Sequence, residues 1–154
     1  MTEITQKEIV IFTDGGARGN PGHAGIGAAL YIRDRSTAEI DPTTMTLIKQ
    51  VSKYIGETTN NVAEYTALQT ALETASELEI KHVRCVLDSE LVVKQLNGEY
   101  RIKEPTLQVL AQKVKVAAKA FESVTYSHVR REKNKLADQL VNQAIDEHLK
   151  PTKN

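Results

Sequence analysis

Ile9-Val10-Ile11-Phe12-Thr13-Asp14-Gly15-Gly16 carries the architecture of this chain. Ile9–Thr13 is a continuous apolar run with β-branched residues, the pattern of a central strand buried on both faces. Asp14-Gly15-Gly16 reads as its end, and Gly19-Asn20-Pro21-Gly22 is a strong turn signal. Ile26–Ile32 then predicts a second strand, and Thr46–Ile55, past Asp41-Pro42, a third with weaker alternation. These connections are too short for crossover helices, so the three strands are expected to form an antiparallel meander. Asn60 or Asn61 opens a long helix whose core face is Leu68, Ala71, Leu72, Ala75 and Leu78. A fourth strand follows at Val83–Leu87, and Asp88-Ser89 caps a short helix through about Leu96. Pro105 begins another helix, Val124–Val129 is a fifth strand, and a last helix runs from about Asn134 to Leu149. The order βββαβααβα predicts an α/β fold, a five-stranded mixed sheet with helices on its faces.

The bulk numbers fit that reading. A chain of 154 residues suits one compact domain, with residues 1–7 and 150–154 expected as loose ends. No apolar run approaches the roughly 20 residues of a membrane helix, and Met1 to Glu8 lacks a signal-peptide core. A cytoplasmic protein with no membrane association is expected. The single cysteine, Cys85, lies in an apolar run and reads as a buried structural thiol. The formal net charge is zero, which mildly disfavours a nucleic-acid binder. Local basic clusters exist at Lys113, Lys115 and Lys119 and at Arg130, Arg131, Lys133 and Lys135, although each also reads as a solvated face.

Four carboxylates stand out, each with an ordinary alternative. Asp14 could be an Asp-Gly turn, Glu64 a capping-box partner of Asn61, Asp88 a helix cap, and Asp138 a complement to a helix dipole. Taken together they point elsewhere. Asp14 and Asp88 end strands, while Glu64 and Asp138 continue the inward faces of their helices. Four anions converging at one end of a sheet would raise one another's pKa, and divalent cations make such a cluster tolerable. Hard oxygen donors suit Mg²⁺, with Mn²⁺ as a substitute, and no Cys/His set has zinc spacing. Two such ions roughly 4 Å apart are suited to phosphodiester cleavage.

The motifs in order resemble those of type 1 ribonuclease H. Thr13-Asp14-Gly15-Gly16-Ala17-Arg18-Gly19-Asn20-Pro21-Gly22 is similar to the first signature and Thr58-Thr59-Asn60-Asn61-Val62-Ala63-Glu64-Tyr65 to the second. Asp88-Ser89 is similar to the third and Asn134-Lys135-Leu136-Ala137-Asp138 to the fourth, so that the resemblance covers residues 8 to about 148. It implies a ribonuclease H-like fold, with Asp14, Glu64, Asp88 and Asp138 as metal ligands. It further implies cleavage of the RNA strand of an RNA–DNA hybrid, leaving 3′-hydroxyl and 5′-phosphate ends. The positions that read 2′-hydroxyls would be Gly15, Gly16, Ala17, Arg18, Asn20, Asn60 and Asn61, with Glu90 where some relatives have a neutral amide.

Two departures from the best-known bacterial pattern bear on function. The basic, tryptophan-containing protrusion is replaced by the short Asn97–Glu104 segment, which predicts weaker, salt-sensitive binding. His128–Asn134 resembles the short version of the loop that carries a catalytic histidine. His128 aligns with it by counting but falls in the fifth strand, so Arg131 is the candidate for orienting phosphate. Three other readings are weaker. The glycines before Ile26 precede a strand, which excludes a dinucleotide fingerprint. Junction resolvases and integrases use related acidic sites but not this form of paired asparagines. A non-catalytic hybrid-binding module has no need of all four carboxylates. No obligate protein partner is evident, and a monomer is the default.

Overall fold

The computed structural model describes residues 7–151. Five strands, β1 (Lys7–Arg18), β2 (Gly22–Asp34), β3 (Thr46–Thr58), β4 (His82–Leu87) and β5 (Ser123–His128), lie in the order β3-β2-β1-β4-β5. β1–β2 and β2–β3 pair antiparallel, while β1–β4 and β4–β5 pair parallel. The helices are α1 (Asn60–Ala75), α2 (Glu90–Leu96), α3 (Pro105–Ala118) and α4 (Lys135–Leu149). This is the expected five-stranded mixed sheet and element order.

β1 is buried on both faces, as its apolar run predicts. Ile9 and Ile11 pack with Leu68, Leu72, Leu107 and Val114 from α1 and α3, and Val10 and Phe12 pack with Ala137 of α4. β1 does not end at Asp14, however. It runs on to Arg18, with Asp14 opposite Gly27 and Gly15 opposite Ile26 on β2. Gly15, read as part of the terminator, is a packing site, as is Gly27 opposite Asp14 on β2. A Cβ on Gly15 would overlap the backbone of Ala63 and Glu64, and one on Gly27 would overlap Ala137 and Leu140. Helices therefore approach β1 and β2 closely from opposite faces, which brings Glu64 and Asp138 to the Asp14 end of the strand.

The expectation of a loose start reaches one residue too far into the described region. Lys7 already pairs in β1, and its Nζ lies 2.6 Å from Asp34. At the other end Lys150 and Pro151 are exposed, with the Lys150 N–H still donating to the Glu147 carbonyl at 3.4 Å, and residues 1–6 and 152–154 lie outside the described residues. Among the described residues no helix is long and apolar enough to cross a membrane. Cys85 is fully buried, and burial pushes its thiol far above its usual range.

Candidate metal centre and substrate cleft

Local capping explains why the carboxylates are available. Thr59, not an asparagine, caps α1, its Oγ1 accepting the Val62 N–H at 3.3 Å. Glu64 therefore sits outside capping-box spacing. Ser89, not Asp88, caps α2 by accepting the Val92 N–H at 3.3 Å. Neither Glu64 nor Asp88 is spent on a helix end.

The structure brings the four together. Asp14, Glu64 and Asp88 each place one carboxylate oxygen so that all three lie within 4.8 Å of one another. Asp138 faces the same cluster from α4, close enough to Asp14 for its carboxylate to raise the Asp14 pKa. Asp14 is 9% exposed. Burial, then the charges of Asp88 and Asp138, push its pKa up to about 8, against the lowering effect of the Gly15 N–H, which donates to Oδ1 at 3.0 Å. Glu64 is pushed up to about 9, again by burial first and then by Asp14 and Asp88, with Arg131 opposing. Carboxyls kept protonated near neutrality are the expected response of a crowded anionic cluster without a cation.

Around them lies an open cleft of about 410 Å³, lined by Asp14 to Arg18, Asn60, Glu64, Asp88, Ser89, Arg131, Asp138, Val141, Asn142 and Ile145. The first-strand residues and the start of α1 are knit by asparagines. Asn60 Oδ1 accepts the Ala17 N–H at 2.8 Å, and Asn20 Oδ1 accepts the Asn60 N–H at 3.1 Å. Arg18 turns toward α4, with Nη1 2.6 Å from Asp146 and Nη2 donating to Asn142 Oδ1 at 3.1 Å. Asn61, half-buried in the first turn of α1, is not among the cleft-lining residues.

Three sequence-predicted positions separate. Arg131 lines the cleft beside Glu64. His128 is the exposed last residue of β5, beside Glu90 and outside the cleft lining. Glu90 is exposed and held by Lys94 at 3.0 Å, an (i, i+4) pair that lowers its pKa. Sequence reasoning missed Asn142 and the structural part played by Asn134. Asn142 lies one turn after Asp138 on α4, so the helical spacing was its only signal.

A family model described as reverse transcriptase-like matches residues 12–144. Over 139 residues the chain is 38% identical to the bifunctional protein Rv2228c of Mycobacterium tuberculosis, covering 90% of this chain and 36% of that protein. It is 34% identical over 136 residues to ribonuclease HI of Halobacterium salinarum, covering 88% and 63%. The chain thus spans about a third of the mycobacterial relative and less than two thirds of the archaeal one. Among solved structures, LC11-RNase H1 in complex with an RNA/DNA hybrid superposes with a TM-score of 0.80 at 42% identity, covering 92% of this chain and 99% of that one. RNase H1 of Halobacterium salinarum superposes with a TM-score of 0.80 at 33% identity, covering 91% and 98%. With its motifs in order, its carboxylates gathered at one cleft and both kinds of relative agreeing along nearly all of its length, the chain belongs to the type 1 ribonuclease H family.

Proposed function

We propose that this protein is a divalent-metal-dependent endonuclease that hydrolyses the RNA strand of RNA–DNA hybrids, leaving 3′-hydroxyl and 5′-phosphate ends. One observation carries the reading: oxygens of Asp14, Glu64 and Asp88, from three different elements, lie within 4.8 Å of one another, and Asp138 lines the same cleft beside them. An all-oxygen, strongly anionic donor set fits Mg²⁺ or Mn²⁺ and has no soft ligand that would favour zinc or copper. Bound there, such cations supply activation of water and charge stabilisation for in-line attack at phosphorus. All four carboxylates come from one chain, so the reading requires no second subunit. The cytoplasm is the compartment it assumes.

The protein's own groups divide the remaining work. Asp14, Glu64, Asp88 and Asp138 would hold the cations, with Asp14 and Glu64 giving up the protons that burial favours. Arg131 offers a guanidinium at the cleft wall, suited to orienting a phosphate but not to shuttling protons at neutral pH. His128 would have to act from outside the cleft lining, so Arg131 is the better candidate for the role of the missing loop histidine. Gly15, Gly16 and Ala17 offer a backbone surface without bulky side chains, suited to close approach of a sugar–phosphate chain. Asn60 has its Oδ1 committed to Ala17, which leaves its Nδ2 to meet a 2′-hydroxyl, with Asn61, Asn20 and Arg18 nearby in the same knit segment. Glu90, tied to Lys94, is the weakest member of the substrate-contacting set.

The solved hybrid complex of LC11-RNase H1, on the same fold at 42% identity, supports the choice of substrate. The Asn97–Glu104 connection between α2 and α3 contains no helix, in keeping with a member that lacks the basic protrusion, and the short His128–Asn134 segment supports a place in the short-loop subgroup. A cleavage panel of end-labelled RNA–DNA hybrid, duplex DNA, duplex RNA and a four-way junction tests the proposal. Cutting of the hybrid's RNA strand with Mg²⁺ or Mn²⁺ and not with EDTA is expected. Preferential junction cutting would favour a resolvase, and hybrid binding without cleavage under either metal would indicate a binding module.

A further inference from the structure

Asn134 ties the cluster together without contributing a carboxylate. It closes the short 3₁₀ turn Arg131–Lys133, precedes α4 and is 1% exposed. An asparagine there ordinarily turns its side chain onto the first N–H groups of the helix, but this one makes no such cap bond. Its Nδ2 instead donates to the Thr13 carbonyl at 2.8 Å and to Asp88 Oδ2 at 3.3 Å. Its Oδ1 is buried without a partner. The two acceptors fix the amide's orientation, since the reverse one would set Oδ1 against two oxygens. The main chain adds two more links: the Asn134 N–H donates to the Arg131 carbonyl at 2.9 Å, and its carbonyl accepts the Asp138 N–H at 3.2 Å.

One side chain and its backbone thus reach Thr13 of β1 next to Asp14, the Asp88 carboxylate, the turn bearing Asp138 and the segment bearing Arg131. A buried acceptor left unpaired is costly, and an apolar side chain of similar size would avoid that cost only by taking the donor away from the Thr13 carbonyl and Asp88. The balance favours asparagine only if the placement of Nδ2 matters. We propose that Asn134 is a positioning residue of the metal centre, its Nδ2 holding the Asp88 carboxylate beside Thr13–Asp14 of β1 so that the ligands stand in place for cation capture. The inference rests on the metal-dependent reading above.

The test is calorimetric titration of Mg²⁺ into the metal-free protein, with a thermal melt of each sample. Wild type, Asn134→Leu and Asn134→Ala are compared, each also with Asp88→Ala. Both Asn134 variants are expected to raise the half-saturating Mg²⁺ concentration about tenfold, the usual scale for losing a group that orients a metal ligand. Asn134→Leu fills the space better than Asn134→Ala and is expected to melt above it, though below wild type because the Thr13 carbonyl loses its donor. With Asp88→Ala present, the further effect of either substitution should disappear. Unchanged Mg²⁺ binding in either folded variant, or an equal shift with and without the Asp88 carboxylate, would overturn the proposal. So would failure of both variants to fold, which would make Asn134 structural. If wild type itself takes up no Mg²⁺, the metal-dependent reading falls and this inference with it.

Discussion

β1 carries two buried carboxylates on the same face, Glu8 near its start and Asp14 past its middle, and their surroundings are opposite in sign. Glu8 is 2% exposed and fully matched by protein cations: Oε2 lies 2.7 Å from Arg33 Nε and Oε1 3.0 Å from Arg84 Nε. Those arginines also hold the chain leaving β2, Arg84 through the Ser36 carbonyl at 2.8 Å and Arg33 through the Glu39 carbonyl at 3.5 Å. Asp14, by contrast, meets Asp88 and Asp138 and receives only the Gly15 N–H at 3.0 Å. Burial of a carboxylate therefore says little by itself. At the Glu8 end the fold supplies the counter-charge and gains a closed, structural corner. At the Asp14 end it omits the counter-charge, leaving a place for cations from outside.

The largest stability effect should come from breaking the matched end. Glu8→Ala would leave two arginines without their shared acid, at a cost of about 3–5 kcal/mol. Urea unfolding should show that loss, while the Mg²⁺ concentration at half-maximal cleavage stays near the wild-type value.

Next comes the response of the unmatched end to Mg²⁺ and pH. Asp14 and Glu64 have folded pKa values of about 8 and about 9, above their ordinary 3.8 and 4.5. Between those limits the folded state binds more protons than the unfolded one. The metal-free protein should therefore lose stability as pH rises from about 4 to about 9, with no further contribution from these two groups beyond. Mg²⁺ competes with the same protons, so its stabilising effect should grow over that window. Once binding is favourable, Mg²⁺ at a hundredfold excess over Kd should add about 2.7 kcal/mol. Thermal melts with and without Mg²⁺ at pH 6 and pH 9 measure both slopes, and parallel slopes would remove the contrast between the two ends.

The smallest effect sharpens the contrast within the cleft. Arg131→Ala should lower turnover about tenfold, about 1.4 kcal/mol in the barrier, whereas His128→Ala should stay near wild type. Single-turnover cleavage of a labelled hybrid checks this. Full activity in the first and loss in the second would return the role to His128.

Much of this was legible in the sequence because each periodic element had one dominant signal. The apolar run at Ile9–Thr13, the helical spacing after Glu64 and Pro105 at the start of α3 all led to the observed elements. The length of β1 was not legible. Asp14-Gly15-Gly16 has turn chemistry locally, and only the packing of α1 against Gly15 shows why a glycine belongs inside the strand. Asn134 was hidden for a similar reason: before a helix, an asparagine reads as a cap, and only tertiary structure shows its amide turned to Thr13 and Asp88. The four carboxylates were legible as a set because their motifs occur in order. Their crowding came from helix approaches that no single motif encodes.

The most direct test of the central claim joins stability and activity in one variant, Asp14→Asn, compared with wild type at pH 9. If Asp14 is an unmatched charge retained for cations, the amide should raise the metal-free melting temperature while abolishing Mg²⁺-dependent cleavage of the RNA strand of a hybrid. A lower melting temperature together with persistent cleavage would contradict the account, because Asp14 would then be a stabilising structural residue and the cleft would not depend on it for catalysis.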